Sequence, residues 1–441
     1  MRRTICLFCS VLLASLPARP QEDGPPDSLL HQATLQNCVL YALSHQPAVR
    51  QSIIDEDIAE RSIRARLADW FPQVNFASTL QRNIQLPTSF VQGNPVQAGA
   101  AFTSNGQFAI TQTLFNRDVL LASSTAQEVR TGSRQRTTGS RIDVVVNVSK
   151  AYYAALLTQE QMMVLDDDLV RLEQTLSNAL HQYQAGVVDK TDFERATISL
   201  NNAKAERRQT DELLKARDAA LKERMGYPAG ADLVLVHDST QMEQEAILDT
   251  TQSLHVENRI EFQALQTQQS LQEANLRYAG WSFLPSLSAI GSYSLNYLSS
   301  AFAQLYRHNY PSSFVGVELS LPIFQGGKRL QELSEAKLQV ERARYDIVAF
   351  RNSAAAEFAQ AIADYKSSLN NYQVLKANLE LARDVYRIIQ LQYKAGTKTY
   401  LELITAETDL RTAELNRTNA LYQLLSSKLD VQKALGTIHE E

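Results

Sequence analysis

The sequence predicts a mainly α chain written twice, in which very long antiparallel helices alternate with four strands patterned like those of a membrane β-barrel. Three observations predict this. The chain repeats itself, its helical stretches are too long for a globular core, and segments of about ten alternating residues fall at matching places in the two halves.

The repeat is read from landmarks in a fixed order. Tyr183-Gln184-Ala185-Gly186 returns as Tyr393-Lys394-Ala395-Gly396, 210 residues later. At the same offset Ala196 matches Ala406, Leu200 matches Leu410, Ala203 matches Ala413, and Met225-Gly226 matches Leu435-Gly436. Upstream, Leu114-Phe115 matches Ile323-Phe324, and Trp70-Phe71-Pro72 matches Phe283-Leu284-Pro285. The expected division is a signal peptide over 1–18, a polar leader over 19–33, a first repeat over 34–226, a joining segment over 227–253, a second repeat over 254–436 and a short tail over 437–441.

In order, Arg2, Arg3 and the apolar run from Ile5 to Leu16 read as a secretory signal. Cys6 and Cys9 fall inside it, which leaves Cys38 alone, on what reads as a buried helix face. Residues 34–70 are helical in pattern, with Thr34 as N-cap and Pro72 as terminator. Val74, Phe76, Ser78 and Leu80 then alternate with Asn75, Ala77, Thr79 and Gln81. A loop over 84–104 carries Pro87, Gly93, Pro95 and Gly99, and a second alternating run follows over 106–114. Residues 118–184 read as one helix weakened but not broken by Gly132 and Gly139, and 187–225 as the next. The second half repeats this with helices over 254–280, 328–394 and 397–435, and strands over 287–297 and 313–321.

Length turns the pattern into an architecture. At 1.5 Å per residue, 118–184 and 328–394 are each about 100 Å long, and two shorter helices end to end match each of them. Only an elongated bundle or cylinder accommodates this. Four strands are too few to close a membrane barrel, so membrane-spanning strands require a barrel shared among chains. The pattern alone also allows a small soluble sheet on a helical stalk.

The formal net charge of -5 and the lack of a basic stripe argue against nucleic-acid binding. Seven scattered His residues lack metal-ligand spacing, and no nucleophile or phosphate-loop motif is present, so neither catalysis nor a cofactor is expected. Asp166-Asp167-Asp168 on a helix reads as hydrated surface.

These residues resemble the TolC-like outer-membrane efflux family (outer membrane factors). The resemblance rests on Leu35-Gln36-Asn37-Cys38-Val39 with Ala42-Leu43 and Pro47, Pro72 and Pro285, and Leu321-Pro322-Ile323-Phe324-Gln325-Gly326-Gly327 entering a long helix. The two Tyr-x-Ala-Gly turns and Ala434-Leu435-Gly436-Thr437 complete it. It implies a homotrimer with a shared twelve-stranded outer-membrane β-barrel above a periplasmic α-barrel of twelve helices. Such a protein is a passive exit duct of a tripartite efflux pump or type I secretion system. Its partners would be outer-membrane lipid, a periplasmic adaptor and an inner-membrane pump of RND, ABC or MFS type. The rival classes are a periplasmic long-helix adaptor and a coiled-coil scaffold. The first needs a lipoyl-like module, and the second would lack paired strands in both halves.

The resemblance also implies a gate at the periplasmic tip. Asp192 matches the gate aspartate, Thr191 its hydroxyl neighbour, Tyr393 the gate tyrosine and Lys398 the gate cation. Glu402 matches an acid that three-fold symmetry makes a ring, and the next acid of the family is Thr405 here. Gly186, Gly396 and Tyr183 mark the tips where an adaptor would dock. The plain alternatives stand beside this: Asp192 lies near a helix N-terminus, where a carboxylate is favoured, and Lys398 and Glu402 have the i, i+4 spacing of a surface ion pair.

Overall fold

The computed structural model describes residues 30, 32–91, 93–186, 189–236 and 239–438. The expected signal with Cys6 and Cys9, most of the leader and the end of the tail lie outside the described residues. Helix α1 (Leu35–His45) starts where Thr34 accepts the Asn37 N–H, and it buries Cys38. The single helix expected over 34–70 is two helices. Gln46 is extended at φ -63° and ψ 124°, and α2 (Pro47–Leu67) opens with proline at its first position. Proline disfavours helical backbone in the residue before it and has no N–H to donate, so Pro47 ends one helix and begins another.

A 3-10 turn (Ala68–Trp70) leads into β1 (Gln73–Arg82). The stretch expected to be a plain loop contains a hairpin, β2 (Thr88–Val91) and β3 (Asn94–Gln97), turned by Gly93 at φ 83°. Then come β4 (Phe102–Phe115), α3 (Arg117–Gln184), α4 (Lys190–Met225), the short α5 (Ser239–Glu245) and α6 (Ile260–Trp281). Next are β5 (Ser286–Ser299), β6 (Tyr310–Ser320), α7 (Lys328–Lys394) and α8 (Tyr400–Leu435). A 3-10 helix, Phe302–Arg307, lies in the β5–β6 connection. Neither Gly132 nor Gly139 interrupts α3.

The four long strands form one antiparallel sheet in the order β1-β4-β5-β6. Register sorts its two faces. Val74, Ile110, Gly291 and Val315 make one row, and Phe76, Phe108 and Tyr293 the next, with the two Phe rings 4.7 Å apart. The opposite face is polar: Asn105 donates to Asn296 Oδ1 at 2.6 Å, and Gln107 to Ser292 Oγ at 2.7 Å. Strands β1 and β6 are exposed along their whole length.

The helices form a layer in which α3 packs against α4 and α2 on one side and α8 and α6 on the other, while α7 packs against α8 and α6. The short helices meet end to end at two glycine joints. Gly226 caps α4 in the left-handed conformation, φ 68°, and a Cβ there would lie 3.0 Å from Gln46 Cα, at the break before α2. Gly436 caps α8 at φ 70°, and its Cβ would lie 3.0 Å from the Asn258 carbonyl oxygen, just before α6. The stacking expected from length is therefore present, with α2 rather than 34–70 completing the first stack.

The described residues of 227–253 cross the middle of this layer. Tyr152 on α3 donates to the Val236 carbonyl at 2.9 Å. On α7, the buried Tyr365 hydroxyl accepts from Leu248 N at 2.7 Å and donates to the Ala246 carbonyl at 3.1 Å. The main core lies here, built from Leu156, Met225, Leu421 and Leu424 among others. Each such side chain contributes about 1.5–3 kcal/mol by burial.

Candidate functional site

The end of the helical layer farthest from the sheet is made by two hairpins, α3–α4 and α7–α8. Gly186 (φ 72°) and Gly396 (φ 74°) turn them, and neither has a neighbour within 4 Å of the position a Cβ would take. Left-handed backbone, not crowding, is what these positions demand. Tyr183 stacks on Phe193 across the first hairpin, 6.3 Å between centroids.

The second turn is the more tightly tied. Thr399 accepts the Glu402 N–H through Oγ1 at 3.3 Å, and Glu402 accepts the Thr399 N–H at 2.9 Å, a reciprocal capping box. Lys398 Nζ lies 2.5 Å from the other Glu402 oxygen. The Lys398 hydrogen bond, followed by those from Thr399, holds the Glu402 carboxyl down at about 2. Within one protomer, then, the expected gate cation and the expected ring acid neutralise each other.

Thr191 and Asp192 occupy the first turn of α4, whose N-cap Asp189 makes no side-chain cap bond. Among the described residues the Asp192 carboxylate forms no hydrogen bond to Lys398 or Tyr393. It is nevertheless close enough to act electrostatically on Tyr393. Burial raises that phenol's pKa above the ordinary value, and Asp192 adds to the rise, while the hydroxyl donates to Gln182 Oε1 at 3.0 Å. Tyr393 meets the buried Tyr400 edge-on at 6.3 Å, and Tyr400 packs with Ala179 and Ala196. The structure thus brings Tyr393 and Asp192 into one neighbourhood and pairs Lys398 with Glu402 beside it. Thr405 donates only to the Leu401 carbonyl of its own helix.

A charged layer above the tip was not apparent from the sequence. Asp168, expected on a hydrated surface, is buried and accepts from Arg171 at 3.2 Å and Arg411 at 3.3 Å, while Asp166 is half-exposed and bound by Arg207. Glu407 is buried beside them. The available signal was the stripe Tyr400, Leu403, Glu407 and Leu410, where a carboxylate stands on the apolar face of α8.

A two-faced, four-stranded sheet with both edges bare, carried on helices about 100 Å long, is the architecture of an outer-membrane channel chain. The chain belongs to the outer membrane efflux protein family, whose model matches residues 40–227 and 252–437. The two matched segments are the two repeats. The chain is 20% identical to the outer membrane protein TolC of Vibrio cholerae over 449 residues, covering all of this chain and 97% of that one. It is 22% identical to the toluene efflux pump outer membrane protein TtgC of Pseudomonas putida, over 92% of this chain and 83% of that one. To the alkaline protease secretion protein AprF of Pseudomonas aeruginosa it is 23% identical, over 70% and 64% of the two chains. Among solved structures, a membrane protein of Pseudomonas aeruginosa superposes with a TM-score of 0.76 at 22% identity, covering 91% of this chain and 93% of that one. CusC superposes at 0.75 and 17%, covering 93% and 95%. The expected fold and the expected place in the outer membrane both stand, and the adaptor and scaffold alternatives find no support.

Proposed function

We propose that three copies of this chain close a twelve-stranded barrel over a twelve-helix periplasmic tunnel, a passive, non-enzymatic duct for efflux or type I secretion. The observation that carries this reading is the pair of bare edges, β1 and β6, on a sheet whose outward face is apolar. Unpaired backbone groups in lipid cost several kcal/mol each, and joining β6 of one copy to β1 of the next removes them. Residues 1–18 serve as the export signal, and 34–226 and 254–436 as the two structural repeats. An adaptor docks at the tips around Gly186, Gly396 and Tyr183, and links the duct to an inner-membrane pump.

In this reading Asp192, Thr191, Tyr393 and Lys398 close the tip, and Glu402 lines the bore. Electrostatic proximity of Asp192 to Tyr393 supports the first part. For Lys398 to reach Asp192, it must leave Glu402 or bridge to a neighbouring copy. Detergent-purified protein in planar bilayers should show discrete openings, with a mass of three chains. The D192A/K398A double variant should show larger conductance. Protein that is monomeric without detergent and never inserts would remove the channel reading, whereas unchanged conductance in the double variant would remove only the gate.

A further inference from the structure

The carboxyl of Glu407 is buried, with 2% of its side chain exposed, and neither oxygen has a hydrogen-bond partner. Its nearest cation is Arg171 of α3, whose Nε lies 4.0 Å away and is itself unbonded. An ionised carboxylate this close to a guanidinium would be expected to close that gap, because the charge-assisted bond is strong and the desolvated charge is costly. Arg171 instead turns Nη2 to Asp168 at 3.2 Å and to Glu414 at 3.7 Å.

The surroundings explain why. From α3, Asp168 and Arg171 face Glu407. From α8, Tyr400, whose buried hydroxyl has no hydrogen-bond partner, and Arg411 face it, and Arg411 is committed to Asp168 and, at 3.7 Å, to Glu206 of α4. From α7, Tyr386 faces it, and Arg383 reaches Glu414 at 4.0 Å. The two nearby cations are thus shared among more carboxylates than they can neutralise. Burial first, and Asp168 second, push the Glu407 carboxyl up to about 7. The repeat sharpens the point. At the offset of 210 that pairs Ala196 with Ala406, Glu407 corresponds to Thr197, whose hydroxyl donates to the Phe193 carbonyl of its own helix at 2.9 Å. The carboxyl belongs to the second copy alone.

We propose that Glu407 is a protonation latch: its neutral carboxyl seats α8 against α3, and its ionisation accompanies the separation of α8 from α3 that widens the periplasmic end. The inference rests on the channel reading. When α8 lifts, the carboxyl becomes hydrated, returns toward the ordinary range and releases its proton to water. A group whose value is raised in the packed form favours that form fully at pH below about 4.5. That preference is lost as the pH climbs to about 7. Glu402, held at about 2, does not titrate in this window.

Two readouts on the purified trimer test it. In planar bilayers between pH 5 and 8, opening of the wild-type channel should increase by at most about tenfold per pH unit per protomer, then level off above about 7. E407Q should stay low and flat, and E407T, carrying the residue of the first copy, should also lose the slope. Hydrogen exchange of 400–414, corrected for the intrinsic rate, should accelerate over the same window in the wild type and not in E407Q. Discrete channels whose pH profile is the same in E407Q, or a wild type with no slope, would overturn the latch and leave the channel. An absence of conductance at every pH, with the exchange difference intact, would overturn the channel reading and leave Glu407 as the group that seats α8.

Discussion

The equator and the tip of this molecule use the same residue for different reasons. Gly226 and Gly436, at the equator, have nearly the same φ, 68° and 70°, as Gly186 and Gly396 at the tip, 72° and 74°. At the equator the glycine is also pressed against the backbone of another helix, with 3.0 Å to the nearest atom from a built Cβ, while at the tip that space is empty. The two copies agree at the joints, where contact constrains both. They diverge at the turns, where only a torsion angle is demanded: each has an i, i+4 ion pair, but one carries a capping box and the other has no side-chain cap.

The largest expected effect breaks this comparison directly. G226A and G436A should each destabilise the protein by about 2–3 kcal/mol, from left-handed strain plus backbone overlap, and by similar amounts. G186A and G396A should cost about 1 kcal/mol, from strain alone. Heat-dissociation temperatures of the four variants decide it, and equal losses at all four would mean that the backbone contact adds nothing. Next in size, T399A should cost about 1 kcal/mol at the second turn, whereas D189A should change stability little, since Asp189 caps nothing. Loss of the difference would show that the capping box is not what separates the turns.

The smallest effect concerns pH at the equator. Burial opposes ionisation of Glu243, but hydrogen bonds from Lys376, Tyr372 and Arg417 hold it at about 2. A depressed carboxyl contributes stability above the ordinary range, near 4.5, that is lost as the pH falls through about 2. Hydrogen exchange of 239–245 should therefore rise on acidification below pH 4.5, while that of the turn at Gly226 should not. A uniform response would remove Glu243 as the pin of that segment.

Much of this was legible in the chain. The bounds 328–394 and the turns at Gly186 and Gly396 follow from local rules alone, because a glycine in left-handed backbone stops a helix wherever it occurs. The break at Gln46 was also encoded locally, by Pro47, but a continuing apolar pattern masked it. The hairpin at 88–97 hid among turn residues, since Gly93 and Pro95 mark a loop and a tight hairpin alike. At the site, Tyr393 and Asp192 were legible as neighbours of the turns. The pairing of Lys398 with Glu402 was legible too, from their i, i+4 spacing. The burial of Asp168 was not, because it depends on which helix faces which, and a three-residue acidic run looks the same on either face.

The two joints have a mechanical consequence. Of the parallel rods in each protomer, two run unbroken past the equator and two are cut there, at one level and against glycine. A shaft built this way is stiff in bending, because an uncut rod lies beside every cut. It is softer in torsion at the level of the cuts, where abutting ends can rotate without breaking a hydrogen-bonded turn. Torque applied at the tip would therefore strain the waist before it reached the sheet.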